Sequence, residues 1–320
     1  MYGAHRVYTL PTTPAGIVVV VQPNIGAREK WTEERLEEIV STTIDLSHQA
    51  TVDAAPELIV WPETALPGAP SQHPGWGAAV KRSTWHSGTP VLAGGVDVFG
   101  NGAAEFRQYN AAFLFDPLSP APASVIHRKQ KLIPMIEWVP RGRFLNLSRA
   151  ASGSFVPGTD ELVTPSPVGR FGVLLCYELT FSDMARTLRR NGADLLVTMS
   201  NDAWFGRTAA PYQHFAHAVL RAVENRVTVV RAANTGISGV VDPLGRVVTR
   251  TEIMTPTYTA GQVSVTSALP PSIMVADVVG PLALAVLLGL LAAPAVVRAR
   301  PRSGRLALQV RPGLAHGPHR

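Results

Sequence analysis

Residues 278–297 read VVGPLALAVLLGLLAAPAVV, without one charged or strongly polar side chain. A run of this kind suits a bilayer or a buried core and little else. About 20 apolar residues rising about 1.5 Å each match the roughly 30 Å of hydrocarbon in a membrane. Gly280, Pro281, Gly289 and Pro294 would weaken a soluble helix, but membrane helices tolerate them because neighbouring groups satisfy the freed backbone. A buried core helix is the alternative. The arginines that follow at once, Arg298, Arg300, Arg302 and Arg305, fit the positive-inside pattern and favour a transmembrane helix. On that reading the tail is cytoplasmic, the larger N-terminal part lies on the opposite face, and Asp277 meets the interface at the other end.

The same arginines decide what the net charge means. The 320 residues carry a formal +6, from 29 Lys+Arg against 23 Asp+Glu, which taken alone would invite an anionic partner. Six of the 29 lie in residues 298–320, leaving 23 to balance the 23 acids. The body is formally neutral, and a nucleic-acid groove loses its support. With 46% hydrophobic and 16% charged residues the chain reads as a packed protein, not as a disordered or collagenous one. The single cysteine, Cys176, forms no internal disulfide and builds no thiolate metal site by itself, and it leaves the redox compartment open.

Export of the N-terminal part needs a signal, yet residues 1–15 (MYGAHRVYTLPTTPA) contain no apolar core of a signal peptide, and the stretch 17–21 is too short to supply one. The expectation is that the chain is the C-terminal part of a larger membrane protein, or works beside a separate membrane-helix partner.

Between the ends the pattern is layered α/β with mixed strands. Residues 16–23 (GIVVVVQP) suit a strand buried on both faces. Thr32 is placed to cap a helix with Glu33 and Glu34 in its first turn and an apolar stripe of Leu36, Ile39, Val40 and Ile44. Further strands are expected over 58–61, 91–99, 111–115, 171–176 and 195–199. Helices are expected over 182–190, closed by Gly192, and over 211–226. Residues 227–241 read as extended with bends at Asn234, Gly236 and Gly239, before a turn at 242–245.

Three expected strands end in reactive groups: Glu63 after 58–61, Lys129 in His127-Arg128-Lys129, and Cys176. Open sheets present their sites at strand ends, so a carboxylate, an ammonium and a thiol could converge there. An ammonium lowers a thiol pKa, a carboxylate accepts its proton, and the lysine together with the Tyr177 N–H could hold an oxyanion. Each residue alone also fits a plainer role: a core thiol, a solvated lysine, a turn glutamate. No convincing metal-ligand spacing is present, and His214 with His217, three apart on a helix, read as surface or packed histidines.

The segments LIVWPETA (58–65), HRKQKLIPMIEWVP (127–140), GVLLCYELTF (172–181) and SNDAWFG (200–206) resemble the nitrilase, or carbon-nitrogen hydrolase, superfamily. More narrowly they are similar to the catalytic domain of the apolipoprotein N-acyltransferase family. The resemblance covers roughly residues 17–265 and the terminal apolar helix. It implies a four-layer α-β-β-α nitrilase-like sandwich followed by one C-terminal transmembrane helix. Carried over by motif position, it implies Glu63 as general base, Lys129 as oxyanion stabiliser and Cys176 as nucleophile, with Glu137 orienting or buffering them. Tyr177 and Glu178 also match required positions. Lys131 is the nearest competitor for the lysine, but Lys129 has the family's spacing of eight residues before the second glutamate.

The resemblance further implies a two-step acyl transfer without metal or organic cofactor. Cys176 takes an acyl chain from a phospholipid donor, such as phosphatidylethanolamine, and passes it to the N-terminal amine of a diacylglyceryl-cysteine lipoprotein at the bacterial inner membrane. Trp138, Trp204 and Phe205 read equally as an apolar mouth for acyl chains or as core aromatics under loops. Two alternatives stay open: a membrane-tethered amidase or nitrilase using water as acceptor, and a binding or inactive fragment lacking upstream membrane helices. The expected organisation is a lead-in (1–15), a catalytic domain (16–265), a linker (266–277), a membrane helix (278–297) and a basic cytoplasmic tail (298–320).

Overall fold

The computed structural model describes residues 2–27, 29–100, 105–138, 155–159 and 162–299. In chain order the first half holds α1 (Tyr2–Thr9), β1 (Thr13–Gln22), α2 (Leu36–Ala54), β2 (Leu58–Val60), α3 (Pro74–Ser87), β3 (Val91–Phe99), β4 (Arg107–Phe115) and β5 (Ser124–Arg128). There follow β6 (Val163–Thr164), β7 (Phe171–Leu175), α4 (Ser182–Arg190), β8 (Leu195–Ser200), α5 (Ala210–Asn225), β9 (Thr228–Ala233), β10 (Gly239–Val241), β11 (Val247–Arg250), β12 (Thr257–Val265) and α6 (Pro271–Ala299).

The valine run of β1 shows why the fold is layered. Successive strand side chains point to opposite faces, and here Val18 and Val20 enter one apolar cluster while Val19 and Val21 enter another, all fully buried. The same division recurs in β2, β7 and β8. Leu58, Val60, Phe171, Val173, Leu175, Leu195, Val197 and Met199 share the central cluster, whereas Ile59 and Trp61 face one outer cluster and Leu174 and Leu196 the other.

Two six-stranded mixed sheets result, in the orders β12-β1-β2-β3-β4-β5 and β11-β10-β9-β8-β7-β6. The parallel strands, β1-β2-β3 and β7-β8-β9, sit in the middle of each sheet, where both faces are covered. The central cluster joins the two inner faces. On one outer face α2 and α3 contribute Val40, Ala50, Trp76 and Val80. On the other, α4 and α5 contribute Met184, Leu188, Phe215 and Ala218. The layers run α-β-β-α, as the resemblance implied.

Local departures from the sequence reading have physical reasons. Thr32 does not cap α2: the chain makes two short 3₁₀ turns, Glu29–Trp31 and Glu33–Arg35, and α2 begins only at Leu36. The strand expected to run through Cys176 stops at Leu175, because Cys176 adopts a left-handed φ of 50° and opens the 3₁₀ turn Cys176–Thr180. Helix α3 was not anticipated, although Pro74 starts that helix and Gly88, at φ 68°, stops it.

The chain divides into two compact units, Met1–Ile273 and Met274–Arg320. The expected membrane span falls in α6, whose Leu282, Leu284, Leu287, Leu288, Leu290 and Leu291 are all exposed. Side chains are described only as far as Leu291, and among the described residues no helix is long and apolar enough to cross a membrane. The transmembrane helix expected from the sequence is therefore not found among the described residues. The basic tail beyond residue 299, and Val139 and Pro140 of the second motif, lie outside the described residues.

One glycine ties the fold to the site. Gly94 of β3 passes so close to the loop after β2 that a Cβ there would lie 2.6 Å from the Pro62 carbonyl oxygen and the Thr64 nitrogen, and 2.7 Å from the Glu63 Cα. Backbone cannot yield as a flexible side chain can. Gly94→Ala should cost about 1–3 kcal/mol through overpacking, read as a lower urea midpoint; an unchanged midpoint would mean that the loop carrying Glu63 is free to move.

Candidate active site

Each side chain of the site is set by a strand end and the loop leaving it. After β2, the Trp61 N–H donates to the Leu92 carbonyl at 2.8 Å and the Trp61 indole to Ser47 of α2 at 2.8 Å, fixing the entry to Glu63. After β5, the Lys129 N–H donates to the Asn110 carbonyl of β4 at 2.8 Å. Both strands belong to the first sheet.

The Lys129 Nζ is 2.9 Å from Glu63 Oε1 and 2.8 Å from Glu137 Oε1, with the lysine side chain 1% exposed. Asn110 Nδ2 donates to the same two oxygens at 2.8 and 3.0 Å. The remaining oxygens are met by backbone: Glu63 Oε2 by the Asn201 N–H at 2.9 Å, and Glu137 Oε2 by the Ile133 N–H at 2.8 Å. Burial disfavours charge on Lys129, but Glu63, Cys176 and Glu137 outweigh it and hold the ammonium above the ordinary lysine range. Burial likewise opposes charge on Glu63, but Lys129, Asn110 and Lys30 keep it below the ordinary carboxylate range. Lys129 is a cation and Glu63 an anion at neutral pH. Lys131, the competitor, is exposed, with its Nζ 5.5 Å from the Phe181 ring centroid.

Cys176 comes from the second sheet. It is buried, with Sγ 3.4 Å from Ser200 Oγ, and interacts electrostatically with Glu63 and Lys129. Ser200 ends β8 and Asn201 follows it, so neighbouring residues hold the thiol and the carboxylate. The thiol does not behave as the sequence suggested. Burial first, then Glu63, push it up to about 12, more than Lys129 pulls it down, so the resting group is S–H and not thiolate. The opening N–H groups of the Cys176–Thr180 turn have no partner within the turn, which leaves the Tyr177 N–H suited to an oxyanion.

Glu178 is fully buried but clasps backbone. One oxygen accepts the Leu175 N–H at 2.7 Å and meets His127 Nε2 at 2.8 Å; the other accepts the Gln130 and Lys131 N–H groups. It clips the segment bearing Lys129 to the end of β7, just before Cys176.

Beneath Cys176 lies a network that sequence reasoning missed. Arg231 of β9 donates to Asp202 at 2.8 Å, Asp202 meets His214 Nδ1 at 3.1 Å, and His214 Nε2 lies 3.2 Å from the Cys176 carbonyl. Ser200 also donates to Asp202. Against the penalty of burial, Arg231 and His214 keep Asp202 well below its usual range. His214 is thus packed, but in the floor of the site. Cys176, Asp202 and His214 bring ligand atoms within 4.8 Å of one another. In chemistry the set fits a metal poorly: both His214 nitrogens are engaged, and Arg231 already neutralises the carboxylate. Asn110, Asn201 and Lys30 were missed too; Lys30 Nζ donates to the Glu63 carbonyl at 3.0 Å. Single polar residues of this kind carry no spacing signal, though Asn201 and Asp202 stood inside the SNDAWFG motif.

Around these groups Trp138 is 43% and Trp204 68% exposed, with Met135 and Ile136 also exposed, so the core reading of the two tryptophans fails. Phe205 is half-buried, edge-on to His214. A cavity of about 650 Å³ lined by Pro70, Trp85, Phe113 and Pro122 lies apart from this chemistry, and its Lys81 is engaged by the Asp116 and Ser119 carbonyls.

Comparison with known proteins agrees with the layout. Residues 17–267 match the carbon-nitrogen hydrolase family model. The chain is 36% identical over 251 residues to an apolipoprotein N-acyltransferase of Geobacter metallireducens, covering 77% of this chain and 47% of that protein. It is 35% identical over 262 residues to one of Chlorobaculum tepidum, covering 73% and 48%. The chain spans about half the length of the curated relatives it matches. Among solved structures, an amidase of the nitrilase superfamily from Nesterenkonia superposes with a TM-score of 0.61 at 17% identity, covering 86% of this chain and 98% of that one. The NitFhit protein of C. elegans gives 0.58 at 19%, covering 78% and 61%. These two likenesses concern the fold.

Asp202→Ala would leave Arg231 buried without a counter-charge and should lower the unfolding free energy by about 3–5 kcal/mol, measured by urea titration. A loss under about 1 kcal/mol would mean that water, not Asp202, compensates the guanidinium.

Proposed function

The chain belongs to the carbon-nitrogen hydrolase family, and from that premise we propose that it is an N-acyltransferase of lipoprotein maturation. The observation that carries the reading is the Lys129 ammonium set between Glu63 and Glu137 beside the Cys176 thiol. Identity of 35–36% to relatives bearing the N-acyltransferase name supports transfer over hydrolysis.

In the proposed first step Cys176 Sγ attacks the ester carbonyl of a phospholipid. With the thiol pushed up to about 12, ionisation in advance is rare, so Glu63 takes the proton as the C–S bond forms. Lys129 and the Tyr177 N–H hold the oxyanion, and a charge-assisted donor in a dry site is worth far more than in water. Glu63 then returns the proton to the departing lysophospholipid alkoxide, leaving a thioester. In the second step the amine of a diacylglyceryl-cysteine attacks, Glu63 accepts its proton and passes it to the leaving thiolate, and the amide departs. Glu137 and Asn110 are positioning residues for Lys129 and Glu63, and Glu178 for the two loops.

The exposed Met135, Ile136, Trp138 and Trp204 support an apolar mouth for acyl chains. The leucines of α6 support the membrane anchor, with the arginine tail on the cytoplasmic side of a bacterial inner membrane and the catalytic unit on the other.

The test uses the reconstituted chain, a phospholipid with a labelled acyl group, and a diacylated lipopeptide. Label should appear on Cys176 and move to the peptide amine; release to water alone would favour an amidase, and no label, with Cys176→Ala indistinguishable from the parent, a binding role. Lys129→Ala should slow acylation at least about 100-fold, whereas Lys131→Ala should change it by less than about threefold. Equal losses would overturn the assignment of the lysine.

A further inference from the structure

Lys30 is the buried cation that the proposed mechanism leaves unused. It lies in the Glu29–Trp31 turn, is 2% exposed, and among the described residues its Nζ makes one hydrogen bond, to the Glu63 carbonyl. A buried ammonium with donors to spare is costly unless negative charge lies close by. Two groups of the site face it electrostatically, Glu63 and Cys176. The acids of its own and adjoining segments, Glu29 and Glu38, are drawn to Arg35 instead.

A count of charges shows what Lys30 can do. Glu63 and Glu137 against Lys129 leave one negative charge, which a protonated Lys30 cancels. Losing the Cys176 proton to solvent then brings the cluster to minus one with Lys30 charged, and to minus two with Lys30 neutral. We propose that Lys30 is a positioning and charge-balancing residue of the acyl-transfer site, holding the Glu63 peptide and keeping its own proton while the Cys176 S–H bond breaks and that proton leaves to Glu63 or solvent. The inference rests on Cys176 being the nucleophile. Burial is what brings Lys30 into the working range: desolvation lowers its pKa to about 7, despite the opposing pull of Glu63 and Cys176.

The consequence can be read without any acyl substrate, as the rate of Cys176 alkylation by iodoacetamide against pH. The reactive form, charged Lys30 with thiolate, holds as many protons as neutral Lys30 with thiol, the form that dominates above pH 7. Its population therefore rises about tenfold per pH unit up to about pH 7 and then levels off. In the full chain, Lys30→Arg keeps the cation at every pH, so the rate should climb straight through neutrality and exceed the parent at pH 9. Lys30→Met removes it, so the rate at pH 6 should fall at least about tenfold, with no levelling.

Levelling near pH 7 that persists in both variants, or a Lys30→Met rate equal to the parent at pH 6, would overturn the proposal. Should Lys30→Met fail to fold, as circular dichroism would reveal, Lys30→Arg decides alone: levelling lost supports the role, levelling kept refutes it. Because alkylation reads the thiol itself, a failed acyl-transfer assay leaves this test standing, and a failure here leaves acyl transfer standing.

Discussion

The Lys129 ammonium, held between two carboxylates in the interior, is the interaction on which the rest of this structure depends. Removing ions from water costs several kcal/mol each in practice, and attraction repays that only with excellent geometry and every remaining lone pair met. Here all four carboxylate oxygens of Glu63 and Glu137 have donors: Lys129, Asn110, and the backbone N–H groups of Asn201 and Ile133. The loops after β2, β5 and β8 have little freedom to vary, since each supplies a carboxylate or a donor of this cluster. Gly94 is part of the same constraint, as a larger residue would push the Glu63 backbone out of reach.

Such a cluster explains how a thiol this reluctant to ionise could still serve as a nucleophile. A thiolate stored at rest would add a further negative charge beside Glu63 and Glu137. Keeping Cys176 protonated avoids that state and confines the extra charge to the moment of attack, when Lys129 and the turn N–H groups can meet it. The left-handed Cys176 belongs to the same arrangement. Backbone strain at a non-glycine persists where surroundings over-determine it, and here His214 grips the carbonyl while Ser200 lies against the sulfur.

The fold was legible wherever periodicity was strong. The β1 valines, the 195–199 strand and the 182–190 helix could be read because apolar side chains there repeat with the geometry of the element. Helix α3 was not: its buried side is shared among Trp76, Gly77, Val80, Ser83 and Thr84, too polar for an apolar stripe. In the site, Glu63, Lys129, Glu137 and Cys176 stood in motifs, while Asn110, Lys30, Arg231 and His214 did not announce themselves. Their work is done by contacts across more than ten residues of sequence, which no local pattern encodes. The thiol's acidity failed for another reason: spacing places a cation nearby but says nothing about how dry the surroundings are, and dryness dominates.

The carboxylate and ammonium arrive from one sheet and the thiol from the other, with Glu178 clasping the two at the seam. Neither half of the chain holds a complete reactive set. During synthesis the first sheet's strands up to β5 leave the ribosome before Cys176 does, so the emerging chain carries an idle base and later an idle thiol. The full constellation is in this sense a late property of folding, assembled only when the central apolar layer closes and brings the strand ends of both sheets together.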